Sequence, residues 1–386
     1  MENFKFFNPT RIVFGEGTLP QLSELIPSAA RVLMCYGGGS IKHNGLYDQV
    51  MDALNEHTVF EFGGIEPNPD FDTLMKAIHL GREQEVDFVL AVGGGSVIDG
   101  AKLVAAGIPY QEGDPWEIVT MEKKVRLGEA LPLGTVLTLP ATASEMNGNS
   151  VISRRATEEK LAWVSEAAFP VFSILDPTTT YSLPEKQVRN GIVDAYVHVM
   201  EQYATYPVGG IVQDRQAEAI LLALQDIAKD ALKTPPDYEG RANLMWAATN
   251  ALNKLICQGV PEDWATHAIG HELTAFYGLD HAESLAVVLP HLLWYQREKK
   301  AEKLVQYGQR VWGLSGENEA VIRQALQHMS DFFNRIGMPT KLTDFRVDPH
   351  EAGERIQARF AERGTVLGEH QDITPDKVAE ILRMSQ

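Results

Sequence analysis

Five side chains in two short segments could hold a metal ion. GIVDAYVHVMEQY carries Asp194 and His198 four residues apart, a spacing that puts both on one helix face, a turn from each other. PEDWATHAIGHELTAFYGLDHAESL carries His267 and His271 at the same spacing, with His281 ten residues further on, past a break at Gly278. One carboxylate with neutral imidazoles suits a divalent first-row ion, and the lack of thiolates favours zinc or ferrous iron over a closed structural zinc site. Each histidine alone is an ordinary core or surface residue; the constellation is what reads as a metal centre. Spacing does not select which four of the five bind, and the one left over would serve proton transfer. His267 and His271 also resemble the histidine pair of the helical zinc-protease motif. That motif needs Glu directly after the first histidine, where this chain has Ala268, so proteolysis is set aside.

A second chemistry is written in two glycine turns. MCYGGGSIKH and AVGGGSVIDG each place GGGS directly after an apolar run. Glycine lets the backbone approach an anion, and the N–H groups of the turn and of the following helix supply donors. One such turn could be no more than a tight strand-to-helix connection; two at the ends of two strands read as a nucleotide site. Gly94, Gly95 and Ser96 lead straight into the helical pattern VIDGAKLVAA and are expected to cradle a pyrophosphate. The loop TLPATASEMNGNS, 138–150, adds Thr138, Thr142, Ser144 and Asn147, although small hydroxylic residues also cap helices. Gly37, Gly38, Gly39 and Ser40 bear on the choice of cofactor. A free ribose 2′-hydroxyl is commonly held by an acid after the second strand, which repels a 2′-phosphate. CYGGGSIKHNG contains no acid, whereas Ser40 offers a hydrogen bond and Lys42 a charge, so the loop predicts NADP over NAD. A solvated helical Lys42 is the plain alternative.

These residues need two kinds of scaffold. Nearly apolar runs at 31–36, 58–62, 87–92, 134–140 and 171–177 alternate with helical patterns such as TLMKAIHLGREQE, which predicts a doubly wound α/β domain over 1–183 with strands covered on both faces. From Pro184 on, segments such as 214–233 and 317–337 are amphipathic at helical period, which predicts an all-α domain over 184–386. The prolines and threonines of LDPTTTYSLPEKQ mark the expected boundary. A chain of 386 residues has room for both. Its net charge of -18 repels nucleic acid and anionic membrane surfaces, and it contains neither a signal peptide pattern nor a membrane-length apolar run, so a cytoplasmic protein is expected. Cys35 and Cys257 are too few for a disulfide framework and read as buried thiols.

A nicotinamide cofactor at the strand ends and a catalytic metal in the helical half together predict hydride transfer to or from a small carbonyl compound polarised by the metal. The GGGSVIDGAK turn, EPNP at 66–69, the TLPATASEMN loop, Asp194 with His198, and the segment from His267 to His281 resemble the iron-containing (group III) alcohol dehydrogenase family. The resemblance runs end to end and is strongest to the branch of NADPH-dependent aldehyde reductases and butanol dehydrogenases. It implies a Rossmann-like N-terminal domain and an all-α C-terminal domain, the dehydroquinate synthase-like architecture. It also implies an NADP(H)-dependent alcohol dehydrogenase or aldehyde reductase for small substrates such as butanal and butanol, working as a homodimer. By motif match the metal ligands become Asp194, His198, His267 and His281, with His271 left as a catalytic proton-relay or positioning residue. Asn68, Gly94, Gly95, Ser96, Thr138, Ser144, Asn147 and Lys160 match positions around the cofactor. Ala143 stands where many members have glycine, with a small effect on the loop expected.

Other readings remain at this point. A polyol dehydrogenase or a dehydroquinate-synthase-like lyase shares the plan, but a lyase acting on a phosphorylated acid needs Lys and Arg near the metal, and 191–203 and 261–290 contain neither. A non-catalytic nucleotide sensor would bind the cofactor without turnover. Trp116, Trp264 and Phe276 are candidates for an apolar substrate lining, or for ordinary core.

Overall fold

The computed structural model describes residues 1–386. Its chain divides into two compact units, one comprising Phe7–Pro184 with Lys233–Thr249, the other Met1–Phe6, Glu185–Leu232 and Asn250–Gln386.

The first unit is built on strands β1 (Arg11–Phe14), β2 (Arg31–Tyr36), β3 (Thr58–Phe62), β4 (Phe88–Gly94), β5 (Leu133–Leu139), β6 (Asn149–Arg154), β7 (Glu159–Val164) and β8 (Phe172–Leu175). Six of them form one parallel sheet in the order β1-β8-β5-β4-β2-β3. Strand residues alternate between faces, and both faces are covered. Leu33, Cys35, Val89 and Ala91 enter one buried cluster, while Val32, Met34, Leu90 and Val92 enter the other. This is why RVLMCY and DFVLAV are apolar throughout rather than alternating. Burial pushes the Cys35 thiol up to about 12, so it is an inert core group. Helices α1 (Leu46–Ala53), α2 (Phe71–Glu83) and α3 (Gly95–Gly107) belong to this unit. The expected central strands are all present. Two features lie outside those runs: the short edge strand β1, and the antiparallel hairpin β6–β7, which pairs Ser153 with Lys160.

The second unit is helical, with α4 (Glu185–Tyr203), α5 (Ile211–Ala231), α6 (Ala265–Tyr277), α7 (His281–Tyr295), α8 (Ala301–Val311), α9 (Asn318–Arg335), α10 (Pro349–Arg363) and α11 (Pro375–Arg383). Val188 and all of Asn190–Tyr203 in α4 are buried, so this helix is surrounded by its neighbours rather than amphipathic. It packs against α5 and α7. Tyr196 and Tyr307 share a hydrogen bond of 2.6 Å in the core, flanked by Phe332 and Phe333. No helix is long and apolar enough to cross a membrane.

Candidate active site

In the helical unit, α4 carries Asp194 and His198 inward on one face. Helix α6 brings His267 and His271, and it ends at Gly278, whose φ of 70° is the left-handed conformation that closes helices and favours glycine. The chain then turns through Asp280, whose backbone N–H donates to Glu283 at 2.9 Å, and α7 opens on His281. Lys186 of α4 bridges Asp280 and Glu283 at 2.9 Å each and ties that corner to α4. The sequence break at Gly278 therefore turns the chain back so that His281 faces the other histidines.

The imidazoles converge on one carboxylate oxygen. From Asp194 Oδ1 the Nε2 atoms of His198, His281 and His267 lie at 3.5, 3.7 and 3.9 Å. Asp194, His267 and His281 offer ligand atoms that all lie within 4.8 Å of one another. His198 joins them through Asp194 and stacks on His267, with ring centroids 4.7 Å apart. A zinc-sized ion with bonds near 2.1 Å sets two ligand atoms about 3.4 Å apart in tetrahedral geometry, so these separations fit a single first-row ion. His271, half-buried, sits at the side, its ring 5.4 Å from that of His281 and 6.2 Å from that of His267.

Glu201 was not singled out by sequence reasoning. It follows Asp194 by seven residues and so shares its helix face, which was the available signal. Its carboxylate binds Nδ1 of His267 and accepts the His267 backbone N–H at 3.2 Å. A proton on Nδ1 leaves Nε2 with the lone pair a metal needs. Trp264 stands beside both His198 and His267, at 6.2 and 5.3 Å, in keeping with a lining role. Phe276 is instead stacked by Arg355 and Arg359, each 3.9 Å from its ring. Trp116 packs on Phe71 inside the α/β core, at 5.1 Å. Helix α10 also brings Arg359 and Arg363 to Glu272, at 2.9 and 2.7 Å. Cations thus do reach α6 from a distant segment, but Arg359 and Arg363 are paired with Glu272.

In the α/β unit, the two glycine turns follow β2 and β4 as the sequence indicates. After Gly37–Gly39 a short helical turn spans Ser40–His43, and a Cβ added at Gly38 or Gly39 would meet nothing within 4 Å, so this turn presents an open backbone face. The second turn is packed. A Cβ on Gly95 would fall 2.3 Å from Thr142 Oγ1, and one on Gly94 would fall 2.8 Å from Leu139 Cβ. Here glycine is required by the 138–150 loop closing over the start of α3. Ser96 Oγ accepts the backbone N–H of Asn68 at 3.3 Å, which joins the EPNP segment to the same place.

Thr138 and Thr142 are half-buried, whereas Ser144 and Asn147 turn inward. Ser144 Oγ donates to Asp99 at 2.7 Å, and Asn147 Oδ1 accepts from Lys102 at 3.1 Å. Lys102, wholly buried, also donates to the Asn149 carbonyl at 2.6 Å, and burial pushes its ammonium down to about 8. Lys160 extends from the hairpin strand β7. Ala143 is buried with φ 50°, a left-handed backbone, so its methyl costs on the order of 1 kcal/mol that glycine would not incur. Lys42 is paired with Glu61, an acid on β3 that lies outside the turn motif.

A parallel sheet carrying two glycine turns and a helical unit with one carboxylate among histidines define a metal-dependent dehydrogenase class, and the chain belongs to the iron-containing alcohol dehydrogenase family. The family description "Iron-containing alcohol dehydrogenase" matches residues 9–177, and "Fe-containing alcohol dehydrogenase family, C-terminal" matches residues 189–386. Among its relatives, the NADPH-dependent aldehyde reductase YqhD of Escherichia coli (strain K12) is 53% identical over 97% of each chain. The crystal structure of that organism's YqhD superposes with a TM-score of 0.97 at 51% identity, covering 100% of this chain and 99% of the other. The probable NADH-dependent butanol dehydrogenase 1 of Bacillus subtilis (strain 168) is 40% identical over 100% of both chains.

Proposed function

We propose that this chain is an NADP(H)-dependent aldehyde reductase and alcohol dehydrogenase for small uncharged aldehydes and primary alcohols, with one divalent metal ion, Fe2+ or Zn2+. The observation that carries it is the convergence of three imidazole Nε2 atoms on Asp194 Oδ1 at 3.5 to 3.9 Å. Asp194, His198, His267 and His281 would hold the ion, and Glu201 would fix the tautomer of His267. When bound, the metal polarises the carbonyl oxygen and the reduced nicotinamide supplies the hydride. His271, beside His281 and half-buried, would deliver the proton that the product alcohol needs at its oxygen.

In the α/β unit, Gly94, Gly95 and Ser96 with the start of α3 would take the pyrophosphate, and the open turn Gly37–Ser40 the adenosine end. Asn68, bonded to Ser96, and Thr142, packed on Gly95, would join the second turn, Thr138 and Lys160 would add to them by motif match, and Ser144 and Asn147 would act by holding the 138–150 loop in place. Support for NADP comes from the nearer relative's name, yet one at 40% identity is named for NADH. The test must therefore read cofactor and metal together. Protein stripped by chelator and reloaded with zinc or ferrous iron is assayed for oxidation of NADPH and NADH with butanal. Metal-restored activity that favours NADPH is expected. Turnover indifferent to metal would remove the proposed centre, and binding without turnover would make the chain a sensor.

A further inference from the structure

Beside the first glycine turn, Lys42 belongs to a side-chain cluster whose other members, Glu61, Tyr36 and Tyr47, have no role above. Lys42 Nζ is 3.1 Å from Glu61 Oε2, with the rings of Tyr36 and Tyr47 at 5.1 and 4.6 Å from the ammonium. The hydroxyls of Tyr36 and Tyr47 donate to the same carboxylate at 3.1 and 2.6 Å. Glu61 pairs with Met34 in the β2–β3 register, so it stands next to the strand that feeds the turn. It follows Ser40 by 21 residues. In doubly wound nucleotide-binding sheets, an acid about 20 residues beyond the glycine turn takes the ribose 2′-hydroxyl, whereas a cation nearby takes a 2′-phosphate. This chain has both, bonded to each other.

We propose that Lys42 and Glu61 together set the choice between NADP and NAD. Lys42 neutralises Glu61 and supplies the charge for the 2′-phosphate, while the two tyrosine hydroxyls hold the carboxylate back from it. The hydrogen bond from Tyr47, with help from Lys42 and Tyr36, keeps the Glu61 carboxyl below its ordinary range, so the acid stays ionised and needs its cation wherever a phosphate approaches. The pair is exposed, 43% for Lys42 and 34% for Glu61, and an exposed pair contributes little to folding. Stability therefore does not account for it. Without Lys42, Glu61 becomes the acceptor for a free 2′-hydroxyl and the repeller of a 2′-phosphate.

The inference rests on the nucleotide reading given above, and its test separates the two. Dissociation constants for NADPH and NADH are measured by nicotinamide fluorescence, without aldehyde, on wild type, Lys42→Ala, Glu61→Gln and the double variant, with melting temperatures to verify folding. Lys42→Ala should cut the NADPH-to-NADH preference about tenfold or more, the worth of one charge-assisted hydrogen bond, with NADH binding unchanged or tighter. Glu61→Gln should keep or tighten NADPH with NADH little changed, and the double variant should fall between the singles. A wild type that prefers NADPH, with a Lys42→Ala variant whose ratio stays within about twofold or which weakens both cofactors alike, overturns this inference alone. A wild type that binds neither cofactor, or prefers NADH, overturns the NADP reading and this inference with it.

Discussion

Glu201 lies one helical turn beyond His198 and holds His267 twice, through Nδ1 and through the backbone N–H at 3.2 Å. A carboxylate behind a metal-binding histidine fixes ring orientation, and its loss commonly costs about 10–100-fold in metal affinity. Glu201→Gln should therefore weaken zinc binding by that order in a chelator competition while NADPH binding is retained; an unchanged zinc affinity would show that His267 is oriented by packing alone. Lys102 permits a prediction in pH. Burial lowers its proton affinity from an ordinary 10.5 to about 8, so between those values the unfolded chain binds more protons than the folded one. The contribution of this group to stability thus rises with pH across that window, by up to about 1.4 kcal/mol per pH unit. Denaturant unfolding at pH 8 and pH 10 should show this rise in wild type relative to Lys102→Met; equal slopes would mean that the charges of Asp99 and Glu145 nearby keep Lys102 protonated.

At the level of elements, the legibility of the chain followed the physics of each piece. Strands buried on both faces announce themselves as apolar runs, and β2, β4 and β5 could be read directly. The strand β1 is four residues long at a sheet edge, and β6 and β7 mix polar and apolar residues as a partly exposed hairpin does, so neither stands out by hydropathy. Of the site, Asp194, His198, His267, His271 and His281 were visible because helical spacing groups them within two segments. Glu61 was not, since only the β2–β3 register brings it beside the turn at 37–40. Arg359 and Arg363 were hidden in the same way, because α10 reaches Glu272 across 87 and 91 residues of sequence. Inward-facing polar groups were the harder case. Composition shows Ser144 and Asn147 as hydroxyl and amide in a loop, but only the structure shows them committed to Asp99 and Lys102.

For the whole molecule, the two proposed ligands belong to different compact units, which makes their effects separable. A metal held by Asp194, His198, His267 and His281 would cross-link α4, α6 and α7 of the helical unit, where Glu201 already joins α4 to α6 and Lys186 joins α4 to the start of α7. A ligand that binds only the folded form stabilises it by about 2.7 kcal/mol at a hundredfold excess over its dissociation constant. That gain is expected to slow hydrogen exchange in the helices it ties together, because local opening there must first release the ion. NADPH should instead slow exchange at 37–40, 66–69, 93–96 and 138–150 of the α/β unit. Exchange mass spectrometry on stripped protein, with zinc alone and with NADPH alone, reads both patterns in one experiment. Zinc that leaves α4, α6 and α7 unprotected would deny that the histidine cluster is a metal centre. NADPH that protects none of the four α/β segments would dismiss the glycine turns as its binding site, leaving them as the tight connections that Gly94 and Gly95, packed against Leu139 and Thr142, would then simply be.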